Sequence, residues 1–269
     1  MSHWIRTCAV ALIVLAGLAQ AAPMRAQSTA TGGEEVRVSR NLDRKLRRDA
    51  ARLALRLRDG EDLRFQAVQI PAREMSALYD ALLSMYRADE GIRSIFRCNV
   101  HTRPDPSIDR MLVVFDRDVA WAQPLLEGRQ ETTSARINEL LYDYDLIIEK
   151  HLQWDDTRDA ISVRSKQPLN MASLANEFYN VDGVREIDLG ITKELGNDIT
   201  ATRVADGWRF SFELNFGSLA DEGEQIHRWL YEVSESGEVI QLSESGQPVP
   251  EWMRCASEGR EARRLATAR

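Results

Sequence analysis

The chain has 269 residues, of which 43% are hydrophobic and 29% charged, with a formal net charge of −7. That balance fits a folded globular chain and excludes an intrinsically disordered one. An acidic chain also lacks the global electrostatic drive that nucleic-acid binders use, so no nucleic-acid partner is expected.

The first residues, MSHWIRTCAVALIVLAGLAQAAP, carry one charge, Arg6, then an apolar run from Cys8 to Leu18, then small residues. This is the layout of a secretory signal peptide. The run is shorter than the ~20 residues a membrane-spanning helix needs, and no later segment is long and apolar enough to span. Ala19-Gln20-Ala21 matches the A-x-A cleavage pattern, which places cleavage after Ala21. Cleavage after Ala26 would put Met24 where a small side chain is wanted. Cys8 precedes the apolar run, so it is not a lipoprotein anchor. Residues 1–21 contain Arg6 alone among Lys, Arg, Asp and Glu, so processing moves the net charge from −7 to −8. The expected location is extracytoplasmic, in the periplasm or outside the cell.

Residues 22–36 are small and polar and read as a disordered leader. Residues 37–255 read as an α+β region, mostly helical over 37–145, then hairpin and meander over 146–255. They form one domain or two small subdomains. Residues 256–269 read as a flexible tail. From Asn41 a helix is expected, with Leu42, Leu46, Ala50, Leu53 and Leu57 on one stripe. Arg44, Arg47, Arg48, Arg52 and Arg58 fall on the far side. A basic amphipathic helix over 42–58 could lie on an anionic membrane surface. Asp43 and Asp49 on the polar face, and the lack of an aromatic anchor, favour docking on the domain instead. A second helix follows Pro71, with Met75, Leu78, Tyr79, Leu82 and Met85 at helical spacing, a stripe that reads as core. The segment CNVHTRPDPSID is a loop, and MLVVF at 111–115 a buried strand. Trp121 to Leu126 reads as a short helix ending near Gly128, and Ile137, Leu140, Leu141 and Tyr144 mark another.

From Leu146 the period becomes two. LIIEKHLQW puts Leu146, Ile148, Leu152 and Trp154 on one face, and Glu149, His151 and Gln153 on the other. A polar turn leads to AISVRS, so 146–164 is a hairpin. In QPLNMASLANEFYNVDGVREIDL, Leu174 and Phe178 give a helix its buried face, Gly183 ends it, and VREIDL continues as a strand. Asp206-Gly207 between two alternating runs is a hairpin signal. Trp208, Phe210, Phe212 and Leu214 share a face, as do His227, Trp229, Tyr231 and Val233. The result is an antiparallel meander from Ile199 to Leu242. Grouped helices and hairpin strands define an α+β fold, with helices packed on antiparallel sheet.

Two cysteines survive cleavage, Cys98 and Cys255. In an oxidising compartment such a pair is expected to be joined, closing a long loop worth ~4–5 kcal/mol in the chain-entropy model. Two free thiols are the alternative. No two Cys or His residues stand at metal-ligand spacing, and no cofactor motif is legible.

MLVVFDRDVAW, a hydrophobic strand followed by Asp116-x-Asp118, resembles the first motif of haloacid-dehalogenase-like phosphatases. The resemblance implies Asp116 as nucleophile and Asp118 as general acid beside magnesium, with Asp155, Asp156 and Asp159 as a later acidic motif. Three features count against it. The hairpins after residue 146 are not alternating β and α units, about forty residues are too few between the acidic motifs, and Val119-Ala120 departs from the usual continuation. The competing expectation puts Asp118 at the cap of the Trp121 helix. His101, His151 and His227 lie in a loop and two strands, and no nucleophile elbow, H-E-x-x-H helix or P-loop is present.

Trp208, His227, Trp229 and Tyr231 are the candidate binding surface, a stacking platform for glycan or peptide. The same alternation equally describes a buried sheet face. NVHTRPDPSIDRMLVVFD, Trp121, SKQPLNMASLANEFYNVDGV, GNDI at 196–199 and HRWLYEVSESGEV resemble a domain of secreted bacterial proteins of uncharacterised function. That family often carries a C-terminal sorting domain. The resemblance implies an extracytoplasmic module and supplies no catalytic residues. MASLANEFYNVDGVREID is similar to the helix–turn–strand of subtilisin-type propeptides. The leading expectation is a non-enzymatic secreted or envelope-associated binding protein, whose partner is a protein, peptide or glycan. The alternatives are a protease propeptide- or inhibitor-like domain and a metal-dependent phosphatase.

Overall fold

The computed structural model describes residues 36–58, 62–190, 196–217 and 225–250. The expected signal peptide, cleavage site, Cys255 and tail lie outside them. Helix α1 runs Arg40–Arg56, opened by Ser39, whose Oγ accepts from the Leu42 amide at 3.2 Å. Leu46, Ala50 and Leu53 of the expected stripe are buried, whereas Leu42 at its start is half-buried and Leu57 beyond its end is 37% exposed; everything from Asp49 to Leu55 is buried as well. Arg52, expected on the solvent side, is only 8% exposed, and Asp49 only 1%. The helix is covered on its second side because the segment after Cys98 folds back over it: Asp49 accepts from the Thr102 amide at 2.9 Å and from its hydroxyl at 2.7 Å. The middle of the stripe, Leu46, Ala50 and Leu53, packs into the interior core.

Helix α2 (Ala72–Ala88) follows Pro71, and α3 (Glu90–Arg97) follows directly, capped by Asp89, whose Oδ1 accepts from the Ile92 amide at 2.8 Å. The three helices share a core with one face of an antiparallel sheet of order β5-β6-β7-β8. These strands are β5 (Asp198–Val204), β6 (Gly207–Asn215), β7 (Ile226–Ser234) and β8 (Val239–Gly246). Leu46, Leu53, Leu82, Met85 and Phe96 meet Ile199, Phe210, Phe212 and Tyr231 there. The predicted meander is thus present and β-strand alternation decides its buried face. The β5–β6 connection is Ala205-Asp206, and Gly207 pairs with Val204. Gly207 has φ +144°, and a Cβ there would lie 2.1 Å from the Val233 carbonyl oxygen. Only glycine lets β7 approach so closely.

The second sheet has order β2-β3-β1-β4, all neighbours antiparallel. Its strands are β1 (Arg110–Asp116), β2 (Leu146–Gln153), β3 (Arg158–Ser165) and β4 (Val184–Asp188). One face carries a separate core with α4 (Gln123–Leu126), α5 (Ala135–Asp143) and α6 (Met171–Tyr179). The α6–Gly183–β4 unit is a packing element: Leu174 and Phe178 are buried, and β4 lies beside β1. Gly183 has φ +82°, and a Cβ there would meet Val119 Cγ1 at 2.1 Å. At that corner Trp121 Nε1 donates to the Asp182 carbonyl at 2.8 Å.

The alternation in β2 fails midway. Ile148 pairs with Val163 but Lys150 with Ser162, so Glu149 is an extra residue in the ladder. Such a bulge reverses the faces beyond it. His151 and Gln153 come onto the face of Ile161 and Asp159, though both stay exposed near the end of the strand, while Leu152 and Trp154, expected to be inward, are each 39% exposed.

The architecture is therefore α+β, built as two helix-on-antiparallel-sheet layers within one compact unit from Val38 onward. No helix among the described residues is long and apolar enough to cross a membrane.

Candidate functional site

Asp116 ends β1, an inner strand antiparallel to both neighbours. Its Oδ2 accepts from Arg185 Nε at 2.8 Å, and this guanidinium holds the carboxyl below the usual range. Asp118 is exposed in the following turn. It does not cap the next helix, because Val119 takes the cap position and makes no side-chain hydrogen bond. The capping expectation fails since the chain makes a turn first, with the Val119 amide donating to the Asp116 carbonyl at 3.2 Å.

The later acidic cluster folds on itself. Asp155 accepts from the Thr157 amide at 2.9 Å and from the Arg158 amide at 2.8 Å. With Arg158 Nε at 2.7 Å, these donors pull its carboxyl down to about 2. Asp159 is buried. Its Oδ1 accepts from Arg117 Nε and Nη2 at 3.1 and 2.9 Å, and its Oδ2 faces His151 Nε2 at 3.0 Å. Arg117 also donates to the Asp155 and Asp156 carbonyls at 2.6 and 2.8 Å. The Arg117 guanidinium therefore occupies the space between Asp159 and the Asp155 and Asp156 carbonyls, and would repel a cation there. Among the described residues no three His, Cys, Asp or Glu groups are placed to hold a metal.

Each histidine engages a different carboxylate. His151 faces Asp159. His227 donates through Nδ1 to the Gln247 carbonyl at 2.7 Å, with Nε2 3.0 Å from Glu244. His101 Nδ1 lies 2.6 Å from Asp49 Oδ2, and its Nε2 is shielded from solvent without a hydrogen-bond partner. Sequence reasoning paired none of these, because all three contacts depend on tertiary placement or strand register.

The aromatic set shares one sheet face through the pairs Phe210 with Tyr231, Phe212 with Trp229, and Leu214 with His227. Tyr231 is 2% exposed, and burial pushes its hydroxyl pKa upward, helped by the nearby Asp89 charge. His227 is also buried, with its ring centroid 4.4 Å from that of Trp229. The accessible members are Trp208 and Trp229, both half-buried at the margin of the core. Trp208 borders an open groove of about 560 Å³ with Leu57, Arg58, Arg73, Ala77 and Arg203. Arg203 Cζ lies 4.7 Å from the Trp208 ring centroid, within cation–π range.

Cys98 ends α3 and packs against the first core. No family model, curated protein or solved structure matches the chain.

Proposed function

We propose that the chain is a non-enzymatic secreted or envelope-associated binding protein that takes a peptide or glycan in the Trp208 groove. The groove carries the reading. A flat indole ordered by a stacked guanidinium offers contact area and polar edges with little further ordering cost. Three of the carboxylates that would serve phosphoryl transfer, Asp116, Asp159 and Asp155, are instead engaged by Arg185, Arg117 and Arg158. The export signal and a Cys98–Cys255 bridge belong to the same proposal.

The test applies the processed protein to peptide and glycan arrays, followed by titration of the best ligand against wild type and Trp208→Ala. Loss of binding in a folded Trp208→Ala variant supports the reading. Magnesium-dependent hydrolysis of a phosphomonoester, abolished by Asp116→Asn, would overturn it. Intact mass without reductant reads the other parts: a chain beginning at Ala22, and no thiol open to alkylation. A retained segment 1–21 or two alkylated cysteines sinks them.

A further inference from the structure

We infer that the occupant of the Trp208 groove is an acidic peptide in extended conformation, added as a further strand along the open edge of β5. The inference rests on the groove reading and narrows it from peptide or glycan to peptide. β5 ends its sheet, with β6 on one side and no strand on the other. Its register fixes which main-chain groups point outward. In an antiparallel pair, alternate residues bond to the neighbouring strand, and the residues between them turn their N–H and C=O away from it. Ile199 is one that turns away. Its amide donates to Asp198 Oδ1 at 2.9 Å, and its carbonyl accepts from Arg56 Nη1 at 3.0 Å. Ala201 and Arg203 follow at the strand period and present the same outward groups, roughly 6.8 Å apart. Asp198 and Arg56 close the edge at Ile199. Among the described residues, nothing engages the outward groups of Ala201 or Arg203.

A residue opposite Arg203 in an added strand shares its sheet face. That is the face on which Arg203 pairs with Trp208, and it opens into the groove. The side chain there meets guanidinium groups. Arg73 is exposed and has no ion-pair partner among the described residues. Arg58 Nε lies 4.0 Å from Glu74 Oε2, beyond hydrogen-bond distance. Arg203 pairs with Glu235, and both side chains are at least half exposed. Three arginines thus face two carboxylates, and the unmatched charge sits on Arg73. An acidic residue opposite Arg203 complements that charge while its main chain takes the open edge groups. Main-chain bonds give affinity in this mode, and alternate side chains give specificity. A glycan offers no regular row of amides, and the Arg203 guanidinium already lies over the indole ring on which a sugar would stack.

Fluorescence anisotropy of the processed full chain at low salt uses a labelled, end-blocked hexapeptide alternating Glu and Val. Two control peptides change one feature each. In one, Lys replaces Glu. In the other, the Glu amides are N-methylated, which removes the donors that face β5 and keeps the charges. The Glu peptide should saturate one site, and its binding should slow hydrogen exchange at the Ala201 and Arg203 amides. Affinity should fall at least about tenfold for each control peptide, and for the Glu peptide with Arg73→Glu and with Ala201→Pro. Proline is tolerated where the N–H faces away from the sheet, so Ala201→Pro leaves the β5–β6 ladder and the groove side chains in place. If that variant does not fold, the N-methylated peptide makes the same test on the wild-type chain. No saturable binding of the Glu peptide, equal binding of either control, or unchanged affinity in Arg73→Glu would overturn the inference. A glycan bound instead, and lost in Trp208→Ala, would overturn it while leaving the groove reading standing.

Discussion

Replacing Asp198 with alanine tests whether one buried carboxylate ties the first helix, the segment after Cys98 and the meander together. Asp198 is 5% exposed at the start of β5. Its Oδ1 accepts from Arg56 Nη1 at 2.9 Å, the Arg103 amide at 2.8 Å and its neighbouring Ile199 amide at 2.9 Å, and its Oδ2 accepts from Arg103 Nε at 3.0 Å. Breaking a fully buried ion pair costs ~3–5 kcal/mol. The two guanidinium side chains here are 22% and 43% exposed, so water recovers part of that. Arg56 also keeps the Ile199 and Asp105 carbonyls. The Ile199 amide is buried and has no such recourse, the Arg103 amide only a partial one, and an unsatisfied buried donor costs ~1–3 kcal/mol. The expected loss is about 2–4 kcal/mol, or roughly 4–16 °C in Tm at ~2–4 °C per kcal/mol for a chain of this size. Asp198→Asn retains an acceptor for the amides and should lose less than half as much. Urea unfolding with unchanged m-value, checked by calorimetry, measures both. A loss below about 0.5 kcal/mol for the alanine variant, the range of ordinary surface substitutions, would refute the clamp.

Gly207→Ala should destabilise by more than ~1 kcal/mol, because the added Cβ meets the Val233 carbonyl and the backbone is at positive φ. Chemical unfolding checks it, and an unchanged midpoint refutes the close approach. The Asp155 carboxyl should titrate at about 2, below its ordinary 3.8. A depressed carboxyl stabilises the fold above its unfolded value, so the 155–158 turn should loosen as pH falls from about 4 through about 2. Carboxyl carbon shifts and Thr157 amide exchange report this, and a midpoint at 3.8 contradicts it. Asp118→Ala should leave stability within about 0.5 kcal/mol of wild type by thermal scan, since the side chain is exposed and caps nothing. A larger loss would restore the capping role.

The layers were legible wherever one residue's neighbours along the chain decide its environment. Leu46, Ala50 and Leu53 on α1, Leu78, Leu82 and Met85 on α2, and Phe210, Phe212 and Leu214 on β6 all sit where their periodicity puts them. Helix α3 escaped notice because its eight residues hold two charged groups and a glycine ahead of Ile95 and Phe96. Arg52 and Asp49 were misplaced for a different reason. Period marks one apolar stripe, but a helix covered on two sides buries polar residues too, provided their partners arrive from elsewhere in the chain. Those partners, Thr102 and His101, lie about fifty residues away with no local signature.

The bulge in β2 carries this point to its chemical end. Residues 146–154 alternate as a string except at Ile147 and Lys150, and by that pattern Leu152 belongs inside and His151 outside. One looped-out residue exchanges the sheet faces the two occupy. The extra residue is Glu149, and the neighbouring strands supply what it needs there. Arg110 Nε on β1 lies 3.2 Å from its Oε2, Arg164 on β3 pairs with its Oε1, and these cations hold its carboxyl below the usual range, Arg164 foremost. Beyond the bulge His151 stands opposite Ile161, within reach of the buried Asp159 that Arg117 already grips. Without the inserted residue His151 would face away, and Asp159 would keep a buried oxygen with one partner fewer. The exposed Leu152 is the cost of that arrangement, which follows from cross-strand partners rather than from any property of β2 itself.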